Sequence, residues 1–258
     1  MKNIEQQLIK AAQNAGTLLR ENAFEFGKLE WKKLDDPVTS MDKEAEREIR
    51  KVLTKEAPGN FIGEEFGFEN NSKERTYIID TIDGTKSFIL RDFISSVSIG
   101  VEENEELVGG IVYDFMKDIM YIGYKGKVYI MNKGKKYNFR KNHELSKPRI
   151  ECNNEKIREL LKAKDFSVSD SRGSIALSMA EVAAGNRDGM ISAEIGKGNI
   201  WDVAAGYYML KSQGFVVLDF EGKVFDYKKA NRGLIVLKPE MASKVLHIIN
   251  EYRRAIEI

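Results

Sequence analysis

A single cysteine, Cys152, stands in the 258-residue chain, so no disulfide can close within it and no all-cysteine zinc site can form. Histidine is almost as scarce, with two in all. His143 lies in a polar stretch and His247 beside apolar neighbours in the last helical segment, so neither supports a Ser-His-Asp or Cys-His mechanism. Excess charge is lacking too: 41 basic residues face 40 acidic ones, a net of +1. No overall field draws the chain toward nucleic acid, and the short run KGKK from Lys133 to Lys136 reads as a solvated turn. No apolar run approaches about 18 residues, which argues against a membrane-spanning helix. The opening MKNIEQQLIK mixes charge with apolar residues and lacks a signal-peptide pattern. A protein of a reducing cytoplasm, binding neither nucleic acid nor membrane, is the expectation.

What is present is enough apolar residue, 42%, to bury a core as one large domain or two joined lobes. Ile4, Leu8, Ala11, Ala12, Ala15, Leu18 and Leu19 form a stripe of helical period, which predicts an amphipathic helix over 3–22. Residues 28–41 read as a polar linker in which Asp36-Pro37 enforces extended backbone. Thr39 or Ser40 then caps a second helix, with Asp42 and Glu44 at its positive end and Ala45, Ile49, Val52 and Leu53 on its buried face. Between residues 94 and 131 the period turns to that of strands, with Asn104-Glu105 and Met116-Lys117 as turns, which suits an antiparallel meander. A polar stretch at 138–150 marks a lobe boundary, placing an N-terminal α+β lobe at 1–140 and a C-terminal lobe at 141–258. The second lobe alternates strand and helix patterns, as expected for a mixed sheet flanked by helices.

Chemistry concentrates in YIIDTIDGTKSF, residues 77–88. An apolar run delivers Asp80, then Asp83, then Gly84-Thr85. Two acids so close repel each other unless a positive charge sits between them. A hard divalent cation such as Mg²⁺, which prefers carboxylate and carbonyl oxygens, fits that need. A second apolar run, Phe61-Ile62, ends in Gly63-Glu64-Glu65, and Asp202 opens a helix after Trp201. These acids come from separate segments that can converge in a cleft between lobes.

Gly63-Glu64-Glu65, Asp80-x-Ile82-Asp83-Gly84-Thr85 and Trp201-Asp202-x-Ala204-Ala205-Gly206 resemble the three signature blocks of the inositol monophosphatase superfamily. Asp36-x-Val38-Thr39-x-x-Asp42 resembles its upstream block, and the four blocks keep the family's order from about residue 33 to 220. The resemblance implies an α+β fold, a layered αβαβα sandwich of the inositol monophosphatase and fructose-1,6-bisphosphatase type, with the active site between the lobes. It implies a Mg²⁺-dependent, Li⁺-sensitive phosphomonoesterase that forms a homodimer. Glu64, Asp80 and the carbonyl of Ile82 would hold a first Mg²⁺; Asp80, Asp83 and Asp202 a second; Glu64, mostly through water, a third. Asp42 and Thr85 would orient or deprotonate the attacking water, with Glu64 beside them, and the amides of Gly84 and Thr85 would receive the phosphate. These roles suit the chemistry, because transfer from a phosphate monoester consists mostly of positioning and neutralising charge.

Departures from the pattern bear on substrate. Thr81 stands where the family usually has proline, which predicts a less rigid ligand loop with intact ligands. Lys86-Ser87-Phe88 looks closer to members acting on histidinol phosphate or 3′-phosphoadenosine 5′-phosphate, and Asn199-Ile200-Trp201-Asp202 to the latter. Gly173-Ser174 followed by Ala176-Leu177 resembles instead the sugar-phosphate branch. Glu194, eight residues before Asp202, stands one residue further from it than the glutamate with which inositol-specific members bind ring hydroxyls, and Lys197 between them would instead meet an anionic group on a larger substrate. The expected substrate class is a small polyol or sugar phosphate, inositol 1-phosphate or fructose 1,6-bisphosphate, with the other two phosphates as alternatives. A regulatory binding protein of transcription complexes is an alternative of another kind; the retained acids argue against it.

Overall fold

Two amphipathic helices, α1 (Ile4–Glu21) and α2 (Ser40–Glu56), turn their apolar stripes onto one face of a sheet. The computed structural model describes residues 3–256 apart from 26, 34, 35, 141–145 and 197. Residues 141–145 of the polar stretch, His143 among them, and Lys197 therefore lie outside the described residues. Between the helices, the segment read above as a linker is an antiparallel ribbon of β1 (Leu29–Lys33) and β2 (Asp36–Thr39). Leu29 and Trp31 alternate with Glu30 and Lys32, a two-residue period that the high charge content conceals.

The main sheet has eight strands: β3 (Asn60–Gly63), β4 (Gly67–Glu69), β5 (Arg75–Asp83), β6 (Ser96–Glu103), β7 (Glu106–Asp114), β8 (Ile119–Tyr124), β9 (Lys127–Asn132) and β10 (Lys135–Asn138). Their order is β10-β9-β8-β7-β6-β5-β3-β4, antiparallel throughout except where β3 runs parallel to β5. A short helix, α3 (Thr85–Leu90), follows β5. The expected meander is there, and the Asn104-Glu105 hairpin puts both residues at positive φ, 53° and 65°.

A second sheet collects β11 (Arg149–Cys152), β12 (Ser167–Ser169), β13 (Gly189–Ile195), β14 (Val216–Leu218) and β15 (Arg232–Leu237) in the order β12-β11-β13-β15-β14. It is mixed: β11 is parallel to β12 and β13, and β15 is antiparallel to both its neighbours. Helices α5 (Ile175–Ala183) and α6 (Ile200–Ser212) lie between the two sheets, while α4 (Glu155–Ala163) and α7 (Pro239–Ile256) cover the outer face of the second. The result is five layers, helix–sheet–helix–sheet–helix, with one apolar core on the outer face of the main sheet, one between the sheets, and one under α4 and α7.

The middle layer is seated by a row of glycines. Register pairs Gly100 of β6 with Gly110 of β7, and Gly110 with Gly123 of β8. A Cβ on Gly110 would stand 2.5 Å from the Ala205 Cα, one on Gly100 2.8 Å from the Ala204 Cβ, and one on Gly123 2.9 Å from the Tyr208 ring. The three strands thus form a trough for α6, and the small residues Ala204 and Ala205 let the helix descend into it. This depth sets the height of Asp202, in the first turn of the same helix. Gly110→Ala should destabilise the chain by about 1–3 kcal/mol, the usual cost of overpacking, read as a lower urea midpoint. An unchanged midpoint would mean that α6 does not rest on the glycines.

Candidate active site

Asp80 and Asp83 are three residues apart, a spacing that puts side chains on opposite faces of a regular strand. The register shows how they reach the same face. Asp80 pairs with Ser98 and Asp83 with Ser96, so three steps on β5 face two on β6, and β5 carries a bulge at Thr81–Ile82. The Ile82 amide donates to Asp80 Oδ1 at 3.0 Å across that bulge. Both carboxylates therefore face the helix layer. There Ser96 and Ser98 secure the helix starts: Ser96 Oγ lies 3.1 Å from Ser174 Oγ, the N-cap of α5, and Ser98 Oγ donates to the Trp201 carbonyl of α6. Asp202 is the third residue of α6 and forms a capping box with Asn199, whose amide donates to Asp202 Oδ2 at 2.8 Å.

Asp80, Asp83 and Asp202 each bring a carboxylate oxygen within 4.8 Å of the other two. Burial makes that costly. It drives Asp80 well above the usual carboxylate range, and the neighbouring charges of Glu64, Asp83 and Asp202 add to the effect. Burial, with repulsion from Asp83 and Glu64, raises Asp202 to about 8. Asp83 is raised less, to about 6, because Ser174 and the Ala176 amide donate to it and hold its charge. An all-oxygen donor set that is short of positive charge fits a hard divalent cation such as Mg²⁺.

Glu64 follows β3, and its own amide donates to the Ile79 carbonyl next to Asp80. Its carboxylate raises the charge cost at Asp80, yet its Oε1 accepts from Lys32 Nζ at 2.9 Å, and Lys32 also binds Glu65. Burial opposes the Lys32 charge, but the two glutamates outweigh it and its pKa is raised. Burial lifts Glu65 to about 7 despite that lysine. Gly63 is required here: a Cβ would stand 1.9 Å from an oxygen of Glu46, whose carboxylate accepts the Glu65 amide. Lys32 and Glu46 are participants that the sequence reading missed. The signal for Lys32 was the strand alternation in what looked like a linker.

Asp42 is the third residue of α2, buried, and boxed with Thr39, whose amide and hydroxyl both donate to Oδ2, at 2.7 and 2.6 Å. Burial raises it to about 6 against those two bonds. Its other oxygen faces Thr85 Oγ at 3.4 Å, and that hydroxyl also lies 2.9 Å from the Ile82 carbonyl. The expected Asp42–Thr85 pair is thus formed. Thr81 does not leave the loop slack, since its buried hydroxyl donates to the Asp42 carbonyl at 3.0 Å. Gly84 caps α3 at φ 92°, a left-handed conformation, and a Cβ there would meet the Ile94 carbonyl at 2.7 Å and that of Gly173 at 3.0 Å.

Beside this turn a cavity of about 260 Å³ opens at the C-terminal ends of β11 and β13. Glu151, Asn153, Ser171, Gly173, Ser192 and Glu194 are among its lining residues. Of the expected substrate contacts, Gly173 and Glu194 line this cavity. Ser174 instead turns its hydroxyl to Asp83. Ser87 is buried and accepts the Ile94 amide, and neither it nor Lys86 lines the cavity. A larger groove, of about 640 Å³ between α1 and α2, holds none of the candidate residues.

Five layers, three converging carboxylates and a glycine-started turn at their side define a phosphoric monoester hydrolase. The sequence profile of the inositol monophosphatase family matches residues 1–254, and the chain belongs to that family. The inositol monophosphatase of Mesembryanthemum crystallinum is 30% identical over 237 residues, covering 84% of this chain and 86% of that protein. The fructose-1,6-bisphosphatase/inositol-1-monophosphatase of Aquifex aeolicus is 32% identical over 224 residues, covering 80% and 81%. A solved IMPase structure from Thermotoga maritima superposes with a TM-score of 0.79 at 28% identity, over 96% of this chain and 97% of that one.

The raised carboxyls give a sign for the pH dependence of the cation-free protein. Asp83 and Asp202 keep protons in the folded state that an unfolded chain releases near pH 4. Stability should therefore fall as pH rises from about 4 to about 8, where Asp202 is half ionised. Urea midpoints measured in EDTA across that range should drop more steeply for the natural chain than for Asp202→Asn. Excess Mg²⁺ should restore the natural chain's midpoint at the upper end. A rise relative to Asp202→Asn would contradict the buried cluster.

Proposed function

We propose that the chain hydrolyses a small polyol or sugar phosphate, inositol 1-phosphate or fructose 1,6-bisphosphate, with Mg²⁺ as its cofactor. The observation that carries this reading is the placement of Asp80, Asp83 and Asp202 on one shared face, next to both the Gly84-Thr85 turn and the polar cavity. These three acids would hold Mg²⁺, with Glu64 and the Ile82 carbonyl as further oxygen donors, for two to three ions per site. When bound, the cation supplies neutralisation of the phosphate charge and a more acidic water.

The chain's own groups supply the rest. The amides of Gly84 and Thr85, at the start of α3, would receive the phosphate. Asp42 Oδ1 and Thr85 Oγ form a pair able to orient a water and take its proton. The cavity receives the alcohol. Its serine, asparagine and glutamate lining offers hydrogen bonds to several hydroxyls, which favours a polyol. No aromatic side chain is among its lining residues to stack on a base or an imidazole, which disfavours a phosphoadenosine nucleotide or histidinol phosphate. The names of the relatives, which include both an inositol monophosphatase and a dual enzyme, agree with this class. Homodimer formation, Li⁺ inhibition and a cytoplasmic location accompany the reading as properties of such an enzyme.

A phosphate-release assay over inositol 1-phosphate, fructose 1,6-bisphosphate, histidinol phosphate and 3′-phosphoadenosine 5′-phosphate tests the reading. Release should require Mg²⁺ and be fastest with one of the first two. Asp83→Asn should cut it by about 1,000-fold, the worth of several kcal/mol of charge stabilisation, with an unchanged circular dichroism spectrum. Full activity in that variant would remove the cation from the account.

A further inference from the structure

At one wall of the cavity, to which Glu151 contributes, four charged side chains from four separate places meet. Glu151 of β11 is buried, at 3% side-chain exposure. It accepts from Ser178 of α5 at 2.6 Å and faces Arg172 Nε at 3.3 Å. Arg172 also binds Glu181 of α5. Arg187, in the connection from α5 to β13, places its Nε 3.2 Å from Glu181 and 3.6 Å from Glu151, and another nitrogen donates to Ser169 at the end of β12. Two guanidinium groups against two carboxylates leave the cluster neutral, which is what allows it to be buried. None of these four residues belongs to the acid cluster.

Its position gives the cluster a task. Arg172 immediately precedes Gly173, whose φ is 111°, and Ser174, which caps α5. Ser174 and the Ala176 amide both donate to one oxygen of Asp83. The Gly173 carbonyl lies against Gly84, 3.0 Å from where a Cβ would be. Fixing Arg172 to β11 and α5 therefore fixes the donors that orient Asp83. A glycine in a left-handed conformation has no rigidity of its own, so the hold must come from its neighbours.

We infer that Arg172, locked by Glu151 and Glu181, is a positioning residue that sets Asp83 for cation binding through the Gly173-Ser174 turn. Arg187 balances the charge of the same cluster without touching the turn. A lysine at 172 does not replace the arginine, because one ammonium lacks the planar fork that spans both carboxylates. The inference rests on the reading of Asp83 as a cation ligand.

Mn²⁺ titration followed by electron paramagnetic resonance of the free ion separates the two claims. The natural chain should bind Mn²⁺ and Asp83→Asn should lose most of that binding; if either fails, the underlying reading fails. With both in place, Arg172→Met and Arg172→Lys should weaken Mn²⁺ affinity by about 10- to 100-fold, the usual effect of groups that orient a metal ligand. Arg187→Met should lower the melting temperature yet keep affinity within about threefold of the natural chain. The paired variant Arg172→Met with Glu181→Met keeps the cluster neutral if the single variant does not fold, and should show the same loss of Mn²⁺ affinity. Unchanged affinity in the Arg172 variants, or an equal loss in Arg187→Met, would overturn the inference.

Discussion

The repulsion among three carboxylates, two buried and one half-buried, is the constraint around which this molecule is arranged. Asp80, Asp83 and Asp202 crowd within 4.8 Å of one another with little water to screen them. Left alone, such a cluster would spread apart or hold its protons. The fold prevents the spreading by fixing the acids to two rigid elements: a bulged strand for Asp80 and Asp83, a helix start for Asp202. The elements are then tied to one another by Ser96, Ser98 and Ser174. The strain that remains is electrostatic, and a divalent cation would relieve it.

Much of the architecture follows from that need. The glycine row on β6, β7 and β8 sinks α6 toward the sheet, so its first turn reaches the strand end. The capping boxes at Thr39 and Asn199 place Asp42 and Asp202 at the third position of their helices, where each carboxylate satisfies a backbone amide with one oxygen and leaves the other for the site. Such positions give precision that a mobile loop does not. The polar cavity sits at the C-terminal ends of parallel strands β11 and β13, a usual place for a ligand crevice in such sheets.

The legible part of this site was the part written in local sequence. Acids at strand ends, Gly84 and the caps of α2 and α6 all carry a short-range signature, and the structure brings Asp80, Asp83 and Asp202 together. The five-layer order followed from family resemblance, because strand periodicity alone does not say which faces pack. What stayed hidden depends on register or on distant partners. The bulge at Thr81–Ile82 is visible only once β6 lies alongside β5. Lys32 was concealed in a charged segment that composition presents as linker, and Arg172 joins three charged residues spread over 36 positions, from Glu151 to Arg187. Ser174 was legible as part of the Gly173-Ser174 resemblance, but its commitment to Asp83 required the two sheets to be placed around the shared helix layer.

A crystal soaked in Mn²⁺, with anomalous density measured at the manganese edge, tests the central claim most directly. The account predicts peaks coordinated jointly by Asp80, Asp83 and Asp202, with carboxylate oxygens about 2.1 Å away. Density at other carboxylates with none among these three would contradict it.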